Sequence, residues 1–150
     1  MKIIFISALI CLLYSCQSKR PTNLGLVDST AGKTLQKCPD TPNCLSSHFP
    51  NDKEHHTDPI AYKMEKEQAK TLIKGILKKT PSAEIVNEEQ DYIYAEYTSS
   101  IFKFVDDVEF DFSQDNVIHL RSASRLGKKD FGVNAKRIEE IKFRFYQNDM

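Results

Sequence analysis

The sequence predicts an α+β fold, a two-layer sandwich in which a four-stranded antiparallel sheet is flanked by an N-terminal and a C-terminal helix. Three observations predict it. Apolar residues recur at helical spacing over residues 65–79, alternate at strand spacing between residues 83 and 124, and return to helical spacing after residue 134.

The chain opens on Lys2 and an almost unbroken apolar run over residues 3–15. As a helix this run spans about 20 Å, short of the ~30 Å hydrocarbon core of a bilayer, so it reads as an export signal. Leu13-Tyr14-Ser15-Cys16 resembles a bacterial lipobox, in which the cysteine becomes the mature N-terminus and carries acyl chains such as palmitate. The expectation is a signal peptide over residues 1–15 and a lipid anchor at Cys16. That places the protein in the cell envelope, at the outer membrane facing the periplasm. The other reading is an ordinary secretory signal cut elsewhere.

Residues 16–37 are polar and aperiodic, with Pro21, Gly25 and Gly32, and read as a flexible tether with a reach of roughly 25 Å. A single domain is expected over residues 38–150. It opens on Cys38-Pro39-Asp40-Thr41-Pro42-Asn43-Cys44 and continues to residue 60 as a loop region with His48, His55 and His56. Outside the cytoplasm Cys38 and Cys44 are expected to form a disulfide, worth roughly 2 kcal/mol in the chain-entropy model for so short a ring. The alternatives are a metal site with the nearby histidines, for which the cysteine spacing is long, and two free thiols.

Ala69, Leu72, Ile73, Ile76 and Leu77 form one apolar stripe, and Thr80-Pro81 ends that helix. Residues 83–88 and 92–99 read as a hairpin around Glu89-Gln90-Asp91. From residue 102 to 112 the even positions Phe102, Phe104, Asp106, Val108, Phe110 and Phe112 are assigned to the core. The odd positions Lys103, Val105, Asp107, Glu109 and Asp111 are assigned mostly to solvent. Over residues 117–124 an odd-length connection sets Phe112 opposite Ile118, Phe110 opposite Leu120, Glu109 opposite Arg121, Asp111 opposite His119 and Asp106 opposite Ser124. Ala135, Ile138, Ile141 and Phe145 predict the last helix with Asn134 as its N-cap, and a strand over residues 141–146 is the competitor.

Asp106, Asp107, Glu109, Arg121, Ser124, Arg125, Asp130, Asn134 and Arg137 make the candidate polar cluster. Asp106 on an apolar face must be paired, protonated or displaced, and reads either as a tuned acid beside Asp107 or as a brace for the loop after Ser124. Asp107, Glu109 and Asp111 repeat every ~6.8 Å, a spacing open to a divalent metal. Arg121, His119 and Arg125 explain the same acids as cross-strand partners, and neither metal nor cofactor is assigned. Gly127 and Gly132 before a helix start can cradle an anion, but no Lys-Ser/Thr follows, so nucleotide binding is not supported.

Cys38 through Ser47, then Asp106-Asp107-Val108-Glu109-Phe110, then Arg121-Ser122-Ala123-Ser124-Arg125 through Gly127, Asp130, Gly132, Asn134 and Arg137, resemble the bacterial domain-of-unknown-function 1499 family over about residues 37–146. The resemblance implies no activity and no catalytic residues. Members commonly carry an arginine directly after the last asparagine; Ala135 stands there, which removes one cation from an anion site.

With 21 Lys and Arg against 21 Asp and Glu, the chain has no electrostatic case for nucleic acid. The first functional expectation is a membrane-anchored, non-enzymatic envelope domain that binds a partner protein or small ligand. The others are an anion or lipid-headgroup module on Arg121, Arg125 and Arg137, and an acid/base enzyme on Asp106 or Asp107.

Overall fold

A computed structural model describes residues 19–30 and 32–148. The leader and Cys16 lie outside the described residues. The elements in chain order are β1 (Val27–Ser29), β2 (Gly32–Thr34), β3 (Cys44–Ser46), β4 (Ile60–Ala61), α1 (Lys66–Lys78), β5 (Ala83–Glu89), β6 (Tyr92–Thr98), β7 (Val105–Asp111), β8 (Val117–Ser124) and α2 (Val133–Asn148).

Among the described residues the fold is α+β, with two helices and a large antiparallel sheet of six strands rather than four. β5 to β8 are the four strands read from the pattern, paired consecutively. The two additional strands come from the segment read as a loop: β3 pairs with β8 from Cys44↔Ala123 to Ser46↔Arg121, and β4 pairs at Ile60↔Ile118. Runs of two and three residues are too short to show a period, so only the neighbouring edge makes them strands.

The β7–β8 register follows the pattern, with Phe110↔Leu120, Glu109↔Arg121, Asp111↔His119 and Asp106↔Ser124. Phe110, Phe112, Ile118, Leu120, Ile93 and Ala95 face α1 and α2, whose Ile73, Leu77, Ile138, Ile141 and Phe145 close the main core. Each such side chain contributes about 2–3 kcal/mol relative to exposure. Lys70 ties α1 to the β5–β6 turn through the Glu89 and Gln90 carbonyls, at 2.5 and 3.2 Å.

Phe102 and Phe104, assigned to the core, are exposed instead. The strand begins only at Val105, after a turn closed by Ser99 N donating to Phe104 O and containing Lys103 at φ 56°. Alternation ran on in the sequence through residues whose backbone had already turned.

The odd face of β7, assigned to solvent, is also buried: Asp107, Glu109 and Asp111 are at most 2% exposed. The cover comes from the segment read as a tether. Residues 19–30 and 32–37 supply a strap across this second face, with Leu35 fully buried against Tyr92 and Tyr94, and Leu24, Leu26 and Val86 packed around them. Three leucines spaced irregularly along a polar stretch carry no period, yet each finds a tyrosine of β6. The sheet is therefore covered on both sides, on this one in part by residues that precede Cys38.

Candidate functional site

The strap side of the sheet holds a buried ionic network built by strand alternation. On β6, Tyr92, Tyr94 and Glu96 point to this face. On β7 they meet Asp107 and Glu109, and β8 adds Arg121 with Arg125 just beyond it. Glu109 is fully buried and accepts from Tyr92 Oη at 2.7 Å, Gly25 N at 2.8 Å and Arg121 Nη1 at 2.9 Å. Arg121 Nε has no hydrogen-bond partner among the described residues, while Nη1 of the same guanidinium pairs with Glu109. Gly25 brings its amide to the carboxylate at φ 105°, a conformation that L side chains rarely adopt.

Arg125 organises the second half. Its Nε lies 3.0 Å from both Asp107 oxygens, and its Nη2 reaches Asp107 Oδ1 at 2.7 Å, Tyr94 Oη at 2.8 Å and Glu96. Tyr94 donates to Asp107 Oδ1 at 2.6 Å, and Arg20 of the strap closes on Glu96 at 2.6 Å. Burial pushes both tyrosine hydroxyls well above their ordinary range, reinforced by Glu109 at Tyr92 and by Asp107 at Tyr94. Burial alone would raise the Glu96 carboxyl as well. Hydrogen bonds from Arg20, Arg125 and Tyr94 overcome it and hold that carboxyl at about 2.

At the far end of β7, His48 Nε2 lies 2.9 Å from Asp111 Oδ2, and the His48 ring stacks on His119 at 3.9 Å. His119 Nδ1 is 3.0 Å from Ser47 Oγ, which accepts from Leu120 N. Asp111 is thus paired with His48 rather than with its cross-strand neighbour. Burial lowers the His119 imidazole, with the neighbouring His48 adding to the effect.

The remaining candidates sit on the helix side. Arg137 pairs with Asp106 at 2.6 Å, and its guanidinium lies 4.6 Å from the Tyr97 ring centroid. Asp106 is therefore braced from α2, not from the loop after Ser124. Asn134, expected as the N-cap, is instead a buried residue inside the first turn of α2. Its Nδ2 donates to Asn43 O at 3.0 Å and Ser124 Oγ at 2.9 Å, while Oδ1 accepts from Ser122 and Arg137. The capping role falls to Asp130, whose carboxylate accepts from Gly132 N and Asn134 N at 3.1 and 2.8 Å. Burial would raise the Asp130 carboxyl, but those two amides hold it below its ordinary value.

Cys38 and Cys44 form a disulfide with Cα atoms 5.7 Å apart. The ring presents Asn43, whose Nδ2 donates to Gly127 O at 2.8 Å and whose carbonyl receives Ser124 N as well as Asn134. Asp107, Glu109, Arg121 and Arg125 thus share the strap face. Asp106, Ser124, Asn134 and Arg137 share the helix face, with Asp130 at the cap. Among the described residues no group of three or more acidic, histidine or cysteine side chains is placed to hold a metal ion.

Tyr92, Tyr94, Glu96 and Arg20 escaped the sequence reading as site residues, while His48 entered it only as a possible metal ligand and Asn43 only as part of the Cys38–Cys44 ring. The signal for the first three was present: carrying the hairpin register one strand further puts them on the face of Asp107 and Glu109.

These directions set an acid response. A histidine lowered below 6.5 binds fewer protons folded than unfolded, so its contribution is intact above that value and lost as pH falls through the folded value. Glu96 and Asp111 are lowered carboxyls, Asp111 by His48 and Ser113 against the opposing effect of burial. Each contribution is present above the carboxyl's ordinary value, 4.5 for Glu96 and 3.8 for Asp111, and is lost as pH falls below it, for Glu96 toward 2 and on the order of 3 kcal/mol. Melting temperature is expected to decline in two stages, below pH 6.5 and again below pH 4.5, and His119→Asn should remove the first stage alone.

A family model described as a protein of unknown function, DUF1499, matches residues 34–145. No curated protein matches the chain.

Proposed function

The chain belongs to the DUF1499 family, and on that premise we propose that it is a membrane-anchored envelope domain whose buried polar residues form a structural brace. Its role in this reading is binding rather than catalysis. One observation carries it: each acid singled out in the sequence is satisfied internally, Asp106 by Arg137, Asp107 by Arg125, Glu109 by Arg121, Asp111 by His48 and Asp130 by the Gly132 and Asn134 amides. A general acid or base needs a proton to exchange with a substrate within hydrogen-bond reach. Asp107 and Glu109 are instead closed off by tyrosines, arginines and the strap. The same pairings weigh against an anion module, because the three arginines already hold carboxylates.

The anchor rests on the Leu13-Tyr14-Ser15-Cys16 tetrad, and among the described residues no helix is long and apolar enough to cross a membrane. Two measurements test the reading. The N-terminal peptide of the exported protein should begin at Cys16 and carry acyl mass; an unmodified peptide beginning elsewhere would remove the anchor. Asp107→Asn should lower the melting temperature on the order of 5–10 °C, from roughly 2 kcal/mol of lost charged hydrogen bonding. An unchanged melting temperature would instead favour the acid/base enzyme.

A further inference from the structure

We infer that one end of the sheet is a membrane-contacting tip: the β6–β7 turn and the β8–α2 loop, carrying Ile101, Phe102, Phe104, Leu126 and Phe131, dip into the headgroup layer of the leaflet that holds the anchor. The inference rests on the anchored reading above.

The two loops emerge side by side. Thr98 pairs with Val105, and Arg125 N donates to Val105 O at 3.2 Å, so residues 99–104 and the loop after Arg125 leave the same end of β7. There Phe131 is 96% exposed, Ile101 80%, Phe102 72% and Phe104 50%, with Leu126 also exposed. Phe102 and Phe104 stack on each other at 5.5 Å, a pair turned to solvent rather than to the core. Scattered single apolar residues on a surface need no explanation, but a cluster of large ones on adjoining loops marks a contact surface. Phe131 stands at φ 54°, an outlier for a bulky residue, in a loop that leaves its ring almost wholly exposed.

Charge and chain position point to lipid as the occupant. Lys103, Lys128 and Lys129 stand among the apolar residues, and the acid that follows Lys129, Asp130, is bound to the Gly132 and Asn134 amides at the start of α2. Aromatic and aliphatic side chains ringed by lysines match the interfacial zone of a bilayer with anionic headgroups. The chain also enters the domain near this end. Arg20 holds Glu96, which sits two residues, roughly 7 Å, from the last residue of β6. Cys16 precedes Arg20 by four residues, so the lipidated residue lies within about 14 Å of it. With the strap docked, the tether is a few residues rather than twenty, and the exposed loops are held close to the leaflet.

The test uses the full, lipidated protein in vesicles of phosphatidylethanolamine and phosphatidylglycerol, with an environment-sensitive fluorophore on Phe131→Cys. The control carries it on Gln114→Cys, in the exposed turn at the opposite end of β7. Emission at position 131 should shift to the blue and fall at least twofold with quencher lipids labelled near the headgroup, while position 114 stays unquenched. Removing phosphatidylglycerol should weaken the quenching at 131. If the protein carries acyl mass and remains on the vesicles while position 131 matches position 114, the tip inference is overturned and the anchor stands. If acyl mass is absent and the protein stays in the supernatant, the anchored reading fails and takes the tip with it.

Discussion

Arg125→Met is expected to destabilise the domain by about 3–5 kcal/mol, a fall in melting temperature on the order of 10–20 °C. The arginine side chain is 5% exposed and sits between Asp107 and Glu96, 2% and 16% exposed. Methionine preserves much of the volume but leaves two carboxylates, one of them fully enclosed, without their shared cation. Tyr94 keeps its hydroxyl on Asp107 but loses the donor that held it, so the defect spreads to the residue on which Leu35 packs. The loss should be measurable by urea denaturation at pH 7. It should shrink at pH 3, below the ordinary value of Glu96, where that carboxyl in the unfolded chain is mostly protonated.

Glu109→Leu is expected to cost a similar 3–5 kcal/mol, with a distinct local signature. Glu109 is the acceptor common to Tyr92, Arg121 and the Gly25 amide, so its removal releases the strap as well as a buried guanidinium. Amide exchange at Gly25 and Leu26 should accelerate well beyond the change seen in β7. Adding Arg121→Met should recover much of the stability, because the uncompensated charge is gone and an apolar pair takes its place. Exchange at Gly25 should stay fast in the double variant, since its acceptor is still missing. A catalytic carboxylate would not give this divided result.

The parts of the fold that were legible share one property, a period long enough to recognise. α1 and α2 present their stripes over thirteen and sixteen residues, and β7 and β8 fix their register through Phe110, Leu120, Glu109 and Arg121. β3 and β4 are too short for any period, and the strap docks through Leu24, Leu26 and Leu35 without one. Phe102 and Phe104 show the converse, a period that outlasts its strand because the chain turns at Lys103. Alternation separates the two faces of a strand but does not say whether a polar face meets water. The acids of β7 were assigned to solvent for that reason. Their burial follows from Tyr92, Tyr94 and the strap, which belong to distant parts of the chain.

Of the pairings among the candidate residues, only part was readable without the geometry. Glu109–Arg121 was readable from register. Asp107–Arg125 and Asp106–Arg137 required the course of the β8–α2 loop and the placement of α2, which no local pattern encodes. Asn134 looked like a helix cap because it precedes the apolar stripe, but Asp130 stands four residues earlier and takes the amides first. The asparagine side chain is left to join the disulfide ring, β8 and α2, bringing together residues from separate sequence motifs.

The brace is tested most directly by a double-mutant cycle across Asp107 and Arg125, with Asp107→Asn, Arg125→Met and the combined variant compared by urea denaturation. A stabilising coupling of about 2 kcal/mol or more is expected, consistent with a buried pair sharing several charged hydrogen bonds. A coupling near zero, with wild-type stability in Asp107→Asn, would contradict the brace and return Asp107 to the role of an acid or base.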